Sequence, residues 1–166
     1  MAEVMEMIKT AIQMEKDGKA FYTKAAAQTS SPVGSLVFMS LAEDEDRHLA
    51  VFSKIFESHV SSEEWDLLVA SANKYATQPV FPNDPDKASG ASPDTDDVDA
   101  IQLAMTAEKE AIEYYMAIKK TTDDEDVRKA LDMIIDQERN HFLILEGEFE
   151  YLSTSGSWHE FTPLGQ

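Results

Sequence analysis

Two Glu-x-x-His motifs, Glu45-Asp46-Arg47-His48 and Glu138-Arg139-Asn140-His141, are the residues of this chain best suited to chemistry. Residues three apart on a helix share a face, so each motif can turn a carboxylate and an imidazole towards one centre. Two further glutamates join them: Glu15 precedes Glu45 by 30 residues, and Glu108 precedes Glu138 by 30. Four carboxylates and two imidazoles suit two divalent ions, with carboxylates bridging and one imidazole on each ion. A single Glu-x-x-His arises easily by accident in an acidic helical chain; two in phase, each with a distant glutamate at the same separation, do not.

The phase reflects an internal repeat. At a shift of 93 residues, Glu15-Lys-Asp-Gly-Lys-Ala-Phe-Tyr22 falls on Glu108-Lys-Glu-Ala-Ile-Glu-Tyr-Tyr115, and Glu45-Asp-Arg-His48 falls on Glu138-Arg-Asn-His141. In each half a turn lies midway between the two glutamates, near residues 30 and 123. In an antiparallel helical hairpin, residues equidistant from the turn sit at one height, here about 22 Å from it at 1.5 Å rise per residue. Two such hairpins bring all six side chains into one layer.

The elements that must do this are four long helices, about residues 3–29, 32–58, 97–121 and 124–152. Their seams read Val4, Ile8, Ala11, Glu15, Gly18, Tyr22, Ala25; Phe38, Leu41, Glu45, His48, Phe52, Ile55; Ile101, Ala104, Glu108, Ala111, Tyr115, Ile118; and Val127, Leu131, Ile134, Glu138, His141, Leu145. Each keeps the three-four spacing of a bundle seam and is interrupted near its middle by Glu, or by Glu and His. A core-facing carboxylate is costly unless paired, so four at matching heights call for a shared cation. Ser31-Pro32 is a helix start, Thr121 to Asp124 supplies caps and first-turn acids, and Ser61-Ser62-Glu63-Glu64 starts a short helix to about Lys74. Pro79, Pro82, Pro85, Gly90 and Pro93 make residues 77–97 a long connection. The expected fold is all-α: a four-helix bundle of two hairpins joined by a long crossover, over residues 1–152, with an irregular tail at 153–166.

Composition narrows the rest. The 166 residues carry 32 acidic and 14 basic side chains, a net charge of −18, and no cysteine. Such a surface repels phosphate backbones and attracts cations, so no nucleic-acid partner is expected. Without cysteine there is no disulfide, thiolate nucleophile, iron–sulfur cluster or Cys-based zinc site. No apolar run is long enough to span a bilayer, and the N-terminus lacks a basic and apolar leader, so a cytoplasmic location without membrane association is expected.

Other residues read more plainly. Tyr22 and Tyr115 follow Glu15 and Glu108 by seven residues; they are either core tyrosines or hydrogen-bond donors to a ligand carboxylate, and the spacing leaves both open. His59 and His159 have no acidic partner at ligand spacing and read as surface or packing residues. Phe21, Tyr114, Phe142, Trp65 and Trp158 read as packing or interface residues. Asp94 to Asp99 read as a solvated run and helix start.

The phrases Glu15 to Tyr22 and Leu41-Ala-Glu-Asp-Glu-Asp-Arg-His48, each echoed in the second half, resemble the rubrerythrin branch of the ferritin-like superfamily over about residues 3–152. The resemblance implies a non-haem di-iron protein with ligands Glu15, Glu45, His48, Glu108, Glu138 and His141, of which Glu45 and Glu138 bridge. It implies reduction of hydrogen peroxide to water, with electrons from an external redox protein such as a rubredoxin, and a homodimer. Two departures matter. The four-cysteine rubredoxin domain usual in rubrerythrins is absent from this chain, and the additional glutamate three residues after the third-helix ligand is replaced by Ala111. The remaining six-ligand set is equally close to a bacterioferritin-type site. Ferroxidation, with oxygen or peroxide as oxidant of Fe(II), is therefore the alternative activity. A non-catalytic bundle is the third reading, and the ligand set also accepts zinc or manganese.

Overall fold

A computed structural model of the chain describes residues 2–57, 60–71 and 93–159. The helices are α1 (Ala2–Gln28), α2 (Pro32–Ile55), α3 (Ser62–Ser71), α4 (Pro93–Thr121) and α5 (Glu125–Ser155). The four long ones are those the seams predict. Most of the expected connection, residues 72–92, lies outside the described residues, as do His59, residues 160–166 and the Val4 side chain.

Helix ends follow local chemistry. The Ser31 side chain caps α2 by accepting from the Gly34 N–H at 3.2 Å, and Pro32 occupies the first turn, where a missing N–H costs nothing. Asp124 caps α5 by accepting from Asp126 and Val127 N–H. Ser61 and Glu64 form a reciprocal capping box on α3: Ser61 N–H donates to Glu64 at 2.9 Å and Glu64 N–H donates to Ser61 Oγ at 3.3 Å.

α1 packs on α2 and α4 packs on α5, giving two hairpins; α2 faces α5 and α1 faces α4 across the bundle. The core is split in two. One cluster holds Ile8, Phe52, Ile118, Leu131 and Ile134; the other holds Ala25, Phe38, Ile101, Leu145 and Leu152. On every long helix the expected ligands fall between these clusters. The order of the clusters along each helix fixes direction: α2 and α4 run the same way, from the Phe38–Ile101 end to the Phe52–Ile118 end. That parallel order of α2 and α4 is the one a crossover topology requires. The short α3 covers the Ile8 end of α1: Trp65 is buried in that cluster, and Lys16 Nζ donates to the Val69 carbonyl at 2.6 Å.

Three readings of the sequence need correction at this level. The connection ends earlier than expected, because α4 starts at Pro93. Asp97 is not solvated. It is buried and accepts from Thr29 Oγ1 at 2.6 Å and from the Trp158 indole N–H at 2.8 Å. The tail is ordered further than expected. α5 reaches Ser155, Gly156 ends it at φ +68, and Trp158 folds back against Phe38 with ring centroids 5.3 Å apart. Both tryptophans thus pack inside the chain. His159 is exposed, as expected, its N–H donating to Glu148 Oε2 at 3.0 Å.

Candidate metal centre

The layer between the two clusters contains all six expected ligands, each 2 % exposed or less. Glu15 comes from α1, Glu45 and His48 from α2, Glu108 from α4, and Glu138 and His141 from α5. His48 Nδ1 lies 3.0 Å from Glu15, 3.3 Å from Glu138 and 3.5 Å from Glu45. His141 Nδ1 lies 3.0 Å from Glu138, 3.5 Å from Glu108 and 3.9 Å from Glu45. The two imidazoles face one another, centroids 5.6 Å apart and 25° from parallel.

Ligand atoms form two compact four-residue groups, Glu15, Glu45, His48 and Glu138, and Glu45, Glu108, Glu138 and His141, with a smaller group of His48, Glu138 and His141 across them, the atoms of each group lying within 4.8 Å of one another. Glu45 and Glu138 belong to both four-residue groups, so either carboxylate could reach two ions. The polar bookkeeping fits a cation. Glu138 Oε2 and His141 Nδ1 are buried without a hydrogen-bond partner although only 3.0 Å apart. An ion between them satisfies both lone pairs, and two divalent ions balance four carboxylates.

Without metal, protons take that place. Burial would discharge His48, but Glu15, Glu138 and Glu45 around it hold its imidazole far above the usual range. Burial likewise opposes charge on His141, and Glu108 and Glu138 overcome it, raising it to about 10. Burial, then the neighbouring Glu138 and Glu15 charges, push Glu45 well up. Burial and Glu138 raise Glu108 to about 7, against the pull of His141 and Tyr22. Glu138 alone goes down, to about 2, because both imidazoles outweigh its burial.

Both tyrosines are core residues that also hydrogen-bond to a glutamate of the layer. Tyr22 donates to Glu108 Oε1 and Tyr115 donates to Glu15 Oε1, both buried. Burial, with the Glu108 charge beside Tyr22 and the Glu15 charge beside Tyr115, raises both phenols well above their ordinary range, so each remains a donor. They approach the layer from opposite core clusters.

Two further residues escaped the sequence reading. His48 Nε2 donates to Gln137 Oε1 at 2.9 Å, and His141 Nε2 donates to Asp44 Oδ2 at 3.3 Å. With Nε2 holding the proton, a neutral imidazole turns its Nδ1 lone pair into the layer. The signal was present, since Asp44 and Gln137 are 93 residues apart and each directly precedes its motif.

The family model of rubrerythrin matches residues 6–148. This chain belongs to the rubrerythrin family. Membership of the rubrerythrin family implies a di-iron site, and the buried layer supplies carboxylates and imidazoles that could bind metal. A solved structure of a hypothetical protein from Pyrococcus furiosus is similar at a TM-score of 0.69 and 24% identity, covering 90% of this chain and 89% of that one, which supports the fold alone. No curated protein matches this rubrerythrin-family chain. Its position 111, expected from the family to be glutamate, is a buried alanine in the Ile8 cluster. Among the described residues no helix is long and apolar enough to cross a membrane.

Proposed function

We propose that this chain is a di-iron peroxidase that reduces hydrogen peroxide to water with electrons from an external redox protein such as a rubredoxin. The supporting observation is the pair of overlapping donor groups that share Glu45 and Glu138. Glu15 and His48 would complete one iron position, Glu108 and His141 the other. When bound, the iron pair supplies two electrons; two protons and one peroxide then give two waters as the O–O bond breaks.

The chain's own part is to hold and shield. Glu45 and Glu138 fix the spacing of the two positions. Tyr22 and Tyr115 restrain the terminal carboxylates Glu108 and Glu15 by hydrogen bonds from across the bundle. The apolar clusters above and below limit water at the layer.

Ala111 favours a second reading, ferroxidation. Without a glutamate there, the layer is a matched six-residue set, and Fe(II) would then be substrate. Anaerobic stopped-flow mixing of the di-ferrous protein with peroxide and with oxygen decides. Faster oxidation by peroxide, one per two irons with iron retained, supports the peroxidase. Comparable reaction with oxygen and continued consumption of added Fe(II) supports the ferroxidase. Inertness towards both overturns each.

A further inference from the structure

The repeat makes the metal layer nearly two-fold symmetric. Each half contributes one terminal glutamate, one bridging glutamate and one histidine, and each terminal glutamate accepts from a tyrosine of the other half. The symmetry breaks at the outer edges of the imidazoles. His48 leans on the neutral amide of Gln137, whereas His141 leans on the carboxylate of Asp44.

That difference is held in place. Asp44 uses Oδ2 for His141 and Oδ1 for Arg47, whose other amino group lies 3.6 Å from Glu43. The guanidinium thus orients the carboxylate and leaves one oxygen for the imidazole. At the repeat-related position Arg47 is replaced by Asn140.

A carboxylate behind a ligating imidazole pulls on the Nε2 proton, makes Nδ1 a stronger donor and fixes the ring. An amide fixes the ring but carries no charge. We propose that the two metal positions are inequivalent: the ion beside His141, backed by Asp44, binds more tightly than the ion beside His48, backed by Gln137. The inference rests on the dinuclear reading above. It makes Asp44 and Arg47 positioning residues, since they act through His141.

The test is anaerobic Fe(II) titration of the metal-free protein by calorimetry, with Mössbauer spectra of the loaded protein. The wild type is expected to fill in two resolved steps and to show two iron environments. Asp44→Asn weakens the tighter step about tenfold to a hundredfold, leaves the other in place and brings the two environments together. Gln137→Glu, which keeps the acceptor and adds charge, strengthens the weaker step and so separates an electronic effect from a loss of structure. Identical positions in the wild type by both readouts, or an equal shift of both steps in Asp44→Asn, overturns the inequivalence and leaves the dinuclear site standing. Failure of the wild type to take up two ions overturns the dinuclear reading as well.

Discussion

Tyr22 donates its hydroxyl hydrogen bond to Glu108 on α4, not to Glu15, the carboxylate seven residues before it on its own helix. Tyr115 returns the relation by donating to Glu15. The two bonds cross the bundle and tie the hairpins together at the glutamate–histidine layer, each from a different side. Tyr22→Phe and Tyr115→Phe should therefore behave alike. Each is expected to lower stability by about 1.5–3 kcal/mol, the usual worth of a hydrogen bond to a charged group. Thermal unfolding and Fe(II) titration of both variants check this; a large loss in one and none in the other would break the equivalence.

Glu45 and Glu138 are the two carboxylates common to both donor groups. Alanine at either should reduce uptake from two metal ions per chain to one or none, while a terminal-ligand variant such as Glu15→Ala should spare the other position. Metal analysis after anaerobic loading measures the stoichiometry. Two ions retained in Glu45→Ala or Glu138→Ala would remove the bridging assignment.

The metal-free protein should lose stability as pH rises. His141 is raised from 6.5 to about 10, so its contribution is complete below pH 6.5 and gone once pH passes 10. Glu108, raised from 4.5 to about 7, loses its share in that earlier window. Glu138, lowered to about 2, behaves oppositely: its contribution is present above pH 4.5 and lost on acidification through about 2. Melting temperatures in a chelator should fall between pH 6.5 and 10. Metal displaces these protons, so the loaded protein should show a weaker or reversed slope. Parallel pH profiles with and without metal would contradict the account.

Gly34 lies where α2 meets the returning tail. A Cβ there would stand 2.5 Å from Trp158 Cε2, a rigid ring that is itself anchored to Asp97. Gly34→Ala should cost about 1–3 kcal/mol by overpacking, against the modest gain normal for Gly→Ala inside a helix. Trp158→Ala should remove most of that penalty, so the double variant is expected to be far from additive. Denaturant unfolding of the four proteins of the cycle measures it; additivity would mean the tail does not pack there in solution.

The sequence by itself determined the four long helices, their hairpin pairing and the membership of the buried glutamate–histidine layer. These rest on properties carried by position along the chain: the three-four spacing of apolar residues, caps such as Ser31 and Asp124, and glutamates placed 30 residues apart across each turn. Even Asp44 and Gln137 were legible in principle, one residue before each motif. What only the tertiary structure decided is which side chains meet across helices that the sequence does not order in space. Tyr22 could have served either terminal glutamate, and Asp97 looked like one more solvated acid. Trp158 looked like tail. Their roles arise because the bundle sets α1 against α4 and lets the chain past Gly156 fold onto Gly34 and Phe38. Periodicity records which face of a helix is buried; the partner that a buried hydroxyl, carboxylate or indole finds is set by packing between distant segments.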